Sequence, residues 1–185
     1  MKPQINNLNM EEIRNIRMAF FKEKKSIKKT NNVMGIDLSK FNTGVAVLDD
    51  KDEILFLNKI SPKGNKEKYI IIDFVIAFKS IIDRYRPSKV IMEDIYLRNN
   101  RGNLGSYKSL AKHHGVVLTI LSLMDVEVYY IHNMSAKSHI GCKSKEDVFN
   151  KMCKVYNLHD FNFEDHNDLT DALGLALNKN NKKLK

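Results

Sequence analysis

The stretch VMGIDLSKFNTGVAVL, residues 33–48, decides the fold of this 185-residue chain. Its two apolar halves predict short strands at 33–38 and 43–48, joined by a tight connection through Lys40 and Asn42. Because the first strand is apolar on both of its alternating faces, we expect it at the centre of a sheet covered on both sides. Asp37 lies near the end of that strand, where an isolated carboxylate is costly unless it is paired or bound to a cation.

The pattern outside this stretch predicts an α/β domain. A turn leads to a third strand at 53–60, so the first three strands form an antiparallel meander. Apolar residues at helical spacing follow at 66–85, and Pro87 ends that helix before a fourth strand at 89–93. Further elements are expected in this order: a polar loop at 94–105, a helix at 106–124, a strand at 127–131, and helices at 144–156 and 167–177. This order predicts a five-stranded mixed sheet with helices on both faces.

The composition is that of a basic globular chain. Lysine and arginine number 31 against 22 aspartates and glutamates, which gives a net charge of +9 and favours a polyanionic partner such as nucleic acid. The longest mostly apolar run, 115–124, is too short for a membrane span of about 20 residues, and the N-terminus lacks the apolar core of a secretory signal. Two cysteines exclude a disulfide scaffold. We therefore expect a protein of the cytoplasm or nucleoid, with no membrane partner.

Residues 1–32 differ in pattern from the rest of the chain. Ile13, Ile16 and Phe20 fall at helical spacing among many lysines and arginines, which predicts a basic amphipathic helix. This helix either packs one face on the core or serves as an arm for nucleic acid or another partner. The expected organisation is thus a basic helical extension at 1–32, the α/β domain at 33–178 and a basic tail at 179–185.

Four carboxylates are predicted to meet at one edge of the sheet. Glu93 ends the fourth strand as Asp37 ends the first, and ligands of open α/β sheets collect outside the strand ends. Asp168 and Asp171 share one face of the last helix, and the first turn of that helix is expected to point them at this edge. Four neighbouring carboxylates need compensating charge, which Mg²⁺ supplies through oxygen ligands. The alternative for each acid is a structural role, as a helix cap or a paired core acid.

The segments that carry these acids resemble the RuvC-type Holliday junction resolvases of the RNase H-like superfamily. MGIDLSKFNTGVAVLD, VIMEDIYL and HNDLTDALGLAL follow that family's order: an Asp on the first strand, a Glu ending the fourth, and D-x-x-D-A on the last helix. The resemblance implies an RNase H-like fold over 33–178. It also implies that catalysis and the binding of two Mg²⁺ or Mn²⁺ ions per active site fall to Asp37, Glu93, Asp168 and Asp171. Asp94 follows Glu93 on the opposite face of the strand, and the resemblance favours Glu93.

A fifth segment, SAKSHIGCKSKEDV, resembles the family's stretch of a lysine, a glycine turn and a lysine that opens a helix, at Lys137, Gly141 and Lys145. The resemblance implies a homodimer that cuts four-way junctions symmetrically during recombination or repair. It places DNA contacts at an aromatic residue after the fourth strand and at basic residues around the pocket: Tyr96, Arg98, Arg101, Lys108, Lys137, Lys143 and Lys145. The extension and the Asn- and Lys-rich composition suggest a bacteriophage or mobile-element version that also accepts other branched DNA.

Three other functions remain open on the sequence alone. A ribonuclease or transposase-type nuclease of the same superfamily shares the fold. An actin-like or sugar-kinase ATPase has a similar first hairpin, but it needs two such domains and this chain has room for one. A non-catalytic DNA-binding protein keeps the acids for structure only.

The histidines and cysteines are interpreted as structural. His113 and His114 are expected to form a surface pair on the helix at 106–124, and His166 is expected at the start of the last helix. Cys142 and Cys153 are expected to be reduced thiols.

Overall fold

The structure is a computed structural model that describes residues 30–63, 66–95 and 104–181. Nearly all of the predicted helical extension at 1–32 and the end of the predicted tail at 179–185 lie outside these residues, so both segments stay predictions. None of the helices in the described part is long and apolar enough to cross a membrane.

Five strands form one mixed sheet, as the sequence predicts. They are β1 (Val33–Asp37), β2 (Thr43–Leu48), β3 (Ile54–Ile60), β4 (Lys89–Glu93) and β5 (Glu127–Ile131). The first three form the antiparallel meander, β4 pairs parallel with β1, and β5 pairs parallel with β4, so the order is β3-β2-β1-β4-β5. β1 is the central strand, and four of its five residues are buried because helices cover both of its faces.

Helices cover both faces of the sheet, as expected for an RNase H-like fold. They are α1 (Glu67–Tyr85), α2 (Leu104–Leu123), α3 (Asn133–His139), α4 (Lys145–Tyr156) and α5 (Phe163–Ala176), followed by a 3-10 turn at Leu177–Asn180. α1 and α2 enclose one core, whose largest buried side chains include Met34, Ile36, Phe74, Phe78 and Leu121. The other three helices enclose the opposite core, which includes Leu48, Val148, Met152 and Leu173. The alternation of side chains along β1 and β2 supplies both cores.

Two glycines allow α5 to lie directly on the sheet. A Cβ atom at Gly35 would come within 2.0 Å of the carbonyl oxygen of Ala172, and one at Gly44 within 2.1 Å of the carbonyl oxygen of Asp168. Gly44 is paired with Asp37 across β1 and β2. The helix turn that carries Asp168 is therefore fixed beside the end of the central strand.

The structure corrects two predictions about helices. The last helix begins at Phe163 rather than at 167, because the side chain of Asn162 caps it by accepting a hydrogen bond from the backbone N–H of Asp165 at 2.8 Å. Asp168 and Asp171 consequently lie in its second and third turns. The positive end of the helix dipole, which the sequence predicts to stabilise both acids, acts mainly on the first turn and so does not reach them. The short helix α3 was not predicted, because Ala136 is its single buried residue and seven residues with an exposed Met134 show no apolar periodicity.

The prediction that His113 and His114 form a surface pair is wrong. Both are buried, at 1% and 7% exposure, because α2 is covered on this side by α1 and β5. His113 contacts the ring of Phe74, and His114 stacks on Tyr130 with ring centroids 5.3 Å apart.

The remaining structural interpretations agree with the structure. His166 lies in the first turns of α5 and stacks on Phe161, with ring centroids 4.3 Å apart. Cys142 and Cys153 are free thiols, and Cys142 is buried.

Candidate active site

Asp37 and Glu93 lie side by side at the ends of two neighbouring parallel strands. The register of β1 and β4 pairs Ile36 with Met92, so the next residue of each strand reaches the same edge of the sheet. The side-chain amide of Asn133, the first residue of α3, donates a hydrogen bond to Oε1 of Glu93. Both acids are only partly accessible because the strands that carry them are central.

α5 brings the other two acids to this edge, and each is paired with a lysine from a different element. Nζ of Lys145, at the start of α4, lies 2.7 Å from Oδ2 of Asp171, whose side chain is 8% exposed. Nζ of Lys59, at the end of β3, lies 3.1 Å from Oδ2 of Asp168. The two ion pairs hold the acids of α5 against the strand ends.

The four acids act on one another electrostatically. Burial raises the pKa of Asp37 from 3.8 to about 7; the positive charge of Lys145 opposes this rise, and three negative charges add to it, those of Asp171, Glu93 and Asp168. Carboxylates that change one another's pKa in this way lie close enough to share counter-ions. The four acids therefore interact electrostatically near the end of β1, and their joint role in one site stays a prediction.

Glu93 and Lys145 take part in the same cluster. Burial raises the pKa of Glu93, and the charge of Asp171 adds to the rise, whereas Lys145 and the hydrogen bond from Asn133 oppose it. Burial on its own lowers the pKa of Lys145, but its hydrogen bond to Asp171 and the charges of the acids outweigh that effect and raise the pKa overall. Lys145 therefore stays protonated and offsets part of the negative charge of the acids around it.

The donor set fits a hard divalent cation. All four acids offer carboxylate oxygens, the ligands that Mg²⁺ prefers, and neighbouring negative charges add to the rise that burial causes in the pKa of Asp37 and Glu93. Within the described ranges, no group of three or more His, Cys, Asp or Glu side chains is already arranged as a metal site. The ammonium groups of Lys145 and Lys59 occupy one carboxylate oxygen each on α5, so these acids would exchange a lysine for a cation.

The structure places the predicted DNA contacts unevenly. Lys145 lies within the acid cluster, and Lys137 on α3 lines a small crevice together with Glu93 and Asp171. Lys143 is exposed in the turn before α4, and Lys108 is exposed on α2, which covers the other face of the sheet. Three predicted contacts lie outside the described residues: Tyr96, Arg98 and Arg101.

Sequence reasoning missed Lys59 and Asn133. Lys59 is one of many lysines in the chain, and β3 shows no regular alternation of buried and exposed residues, so the local pattern gives no signal. The register of the meander does indicate that Lys59 lies near α5, because it pairs Lys59 with Gly44, the residue on which α5 packs. Asn133 was missed because α3 itself was missed.

The proteins that this chain resembles in sequence are described as members of one family. Residues 33–179 match the family described as crossover junction endodeoxyribonuclease RuvC. Curated proteins of that name from Chlamydia muridarum and from Chlamydia trachomatis serovar L2 are each 32% identical to this chain over 101 residues, which is 53% of the chain. The match spans 58% of the length of these relatives.

Solved structures show the same fold at low sequence identity. Thermus thermophilus RuvC in complex with a Holliday junction substrate has a TM-score of 0.67 at 21% identity, covering 79% of this chain and 90% of that one. The yeast mitochondrial Holliday junction resolvase has a TM-score of 0.54 at 13% identity, covering 92% of this chain and 84% of its own. Fowlpox virus resolvase, solved with Holliday junction DNA, has a TM-score of 0.51 at 13% identity, covering 79% and 94%. At such identities the likeness establishes the fold alone.

Proposed function

This chain belongs to the RuvC family of crossover junction endodeoxyribonucleases, and we propose that it is a divalent-metal-dependent endonuclease that cleaves four-way and other branched DNA. The interaction of four carboxylates at one sheet edge supports the proposal: burial raises the pKa of Asp37 to about 7, three neighbouring negative charges add to the rise, and a bound cation would offset both effects. The excess of basic residues in the chain fits a nucleic acid substrate.

The proposed metal ligands are the four acids: Asp37, Glu93, Asp168 and Asp171. When bound, two Mg²⁺ or Mn²⁺ ions supply Lewis-acid activation of the attacking water and of the leaving oxygen of a phosphodiester. The chain supplies the orientation: the amide of Asn133 fixes Oε1 of Glu93, and the close packing of α5 on Gly44 fixes the position of Asp168. Lys145, released from Asp171, would hold a phosphate oxygen beside the acids.

DNA binding is proposed to use the basic residues around this edge. Lys137 and Lys145 lie beside the acids and would contact the scissile strand, and Lys143 and Lys108 would contact the backbone farther away. Tyr96 is proposed to enter the centre of the junction, and Arg98 and Arg101 are proposed to contact DNA nearby. We also propose a homodimer, because a two-fold assembly matches a substrate with two equivalent strands. A cytoplasmic location and a bacteriophage or mobile-element origin stay predictions.

A substrate panel tests the proposal. The wild-type chain is incubated with Mg²⁺ and with four labelled substrates of related sequence: a four-way junction, a fork, a linear duplex and an RNA–DNA hybrid. We expect the junction to be cut fastest, with nicks on opposing strands. Preferential cutting of the hybrid would favour a ribonuclease. Equal cutting of duplex and junction would remove the resolvase assignment. Junction binding without nicks would favour a non-catalytic DNA-binding protein. Asp160→Asn, at an exposed position before α5, is the matched control for variants of the four acids.

A further inference from the structure

Lys59 joins the candidate active site to a groove on the neighbouring surface. Its Nζ lies 3.1 Å from Oδ2 of Asp168, and the two side chains are 21% and 26% exposed. The register of the sheet pairs Lys59 with Gly44, and the absence of a side chain at Gly44 lets the backbone of Asp168 rest on β2. The side chain of Lys59 therefore reaches across the glycine to the acid.

The other end of this contact opens into a groove between β3 and α1, here called the β3–α1 groove. It has a volume of about 630 Å³, and its walls include Phe56, Ile60 and Ile81. Its polar rim follows the end of β3 through Lys59, Ser61 and Lys63. Lys59 thus pairs with an acid and also lines a solvent-open groove, whose polar lining includes both Lys63 and Asp73.

An ammonium group and a metal ion compete for the same carboxylate oxygen. A protonated lysine has only donors and no lone pair to offer a cation, so Lys59 cannot join a metal coordination sphere. A cation that takes Oδ2 of Asp168 must displace Nζ of Lys59, and the pair is exposed enough for this exchange to occur without unfolding. The displaced ammonium would then be available to a ligand at the rim of the β3–α1 groove, which Lys59 also lines.

Building on the proposed function, we propose that Lys59 is an exchangeable counter-ion that couples metal binding at Asp168 to DNA-backbone binding along the rim of the β3–α1 groove. Without metal, Lys59 neutralises Asp168 and the rim carries less positive charge. With metal, Lys59 is released and contacts a phosphate of the strand that runs past the acids. Metal and DNA then strengthen each other's binding, because a coupling between two sites acts equally in both directions. Lys59 is in this account a positioning residue.

The first experiment measures metal binding without DNA and without turnover. Thermal unfolding is followed during a Mg²⁺ titration for the wild type, Lys59→Met, Lys59→Arg and the control Lys63→Met. Removal of the competing ammonium is expected to lower the half-saturating Mg²⁺ concentration of Lys59→Met by about two- to fivefold, the factor that corresponds to a partly exposed ion pair. Lys59→Arg and Lys63→Met are expected to respond as the wild type does.

The second experiment measures DNA binding. Anisotropy of a labelled four-way junction is followed against salt concentration, in Ca²⁺ and in EDTA. In Ca²⁺, Lys59→Met is expected to lose about one unit of the slope of log K against log salt, because one phosphate contact is lost, and Lys59→Arg is expected to keep it. In EDTA the slopes of the wild type and Lys59→Met are expected to agree, because Lys59 is then held by Asp168.

The outcomes separate this role from the proposed function. A wild type that does not respond to Mg²⁺ overturns the metal centre and the role of Lys59 together. A responsive wild type with Lys59→Met equal to the wild type in both experiments overturns the role of Lys59 and leaves the metal centre standing. A shifted Mg²⁺ response with an unchanged salt slope overturns the release of Lys59 to DNA.

Discussion

Replacing Asp37 by asparagine is expected to stabilise the metal-free protein. In the folded chain, burial and three neighbouring acids raise the pKa of Asp37 from 3.8 to about 7, so the folded state holds this proton more tightly than the unfolded state. The tighter binding of this proton in the folded state adds to the free energy of unfolding. That contribution is fully present below about pH 4 and is lost as the pH rises through about 7. Asparagine has nearly the same shape and no charge, so the variant avoids that loss.

The size of the effect follows from the two pKa values. Each unit of pKa difference corresponds to about 1.36 kcal/mol, so the carboxyl group of Asp37 destabilises the metal-free fold, relative to a side chain that never ionises, by about 4 kcal/mol at pH 8 and about 1.7 kcal/mol at pH 5. For a chain of this length, 1 kcal/mol moves the melting temperature by about 2–4 °C. Asp37→Asn is therefore expected to melt about 10 °C above the wild type at pH 8, and about 5 °C above it at pH 5.

The assay is thermal unfolding by circular dichroism in EDTA between pH 5 and pH 8. Asp160→Asn, which removes an exposed carboxylate before α5, is the control and is expected to follow the wild type at every pH. A gap between Asp37→Asn and the wild type that does not grow with pH would refute the electrostatic origin of the effect. A variant that melts below the wild type at pH 8 would show that Asp37 is needed for folding.

The remaining predictions concern the metal, the packing of α5 and the hydrogen bond from Asn133 to Glu93. Mg²⁺ at about 100 times its dissociation constant is expected to stabilise the wild type by about 2.7 kcal/mol and Asp37→Asn far less, which thermal unfolding at pH 8 measures. Gly44→Ala is expected to lower the free energy of unfolding in urea by about 1–3 kcal/mol, because its Cβ would lie 2.1 Å from a carbonyl oxygen of α5. Gly115→Ala, in open space on α2, is the control, and its free energy of unfolding is expected to be unchanged or up to about 1 kcal/mol higher. Asn133→Ala removes a hydrogen bond that lowers the pKa of Glu93, so the acid limb of the pH–rate profile for junction cleavage is expected to move to higher pH, with junction affinity retained.

The sheet and its acids could be predicted because their signals are local. Strands buried on both faces appear as unbroken apolar runs, and each of β1 and β4 ends in one acid that breaks such a run. Once the two strands are taken as parallel neighbours, Asp37 and Glu93 must share an edge. The D-x-x-D spacing then places Asp168 and Asp171 on one face of a helix.

What could not be predicted depends on contacts between distant segments. The pairing of Lys59 with Asp168 requires both the register of β3 and the close approach of α5 over Gly44. The residues around Lys59 predict neither of them. The burial of His113 and His114 depends in the same way on the packing of α1 and β5 around α2. The start of α5 was misplaced because its first turn is polar and is fixed by the cap at Asn162 rather than by apolar periodicity.

Cleavage of a labelled four-way junction in Mg²⁺ by single variants of the four acids tests the central claim most directly. The wild type and Asp160→Asn are expected to leave paired nicks, whereas Asp37→Asn, Glu93→Gln, Asp168→Asn and Asp171→Asn are expected to bind the junction without nicking it. Wild-type protein that binds the junction in Mg²⁺ and leaves it intact, or acid variants that cut as fast as the wild type, would contradict the account.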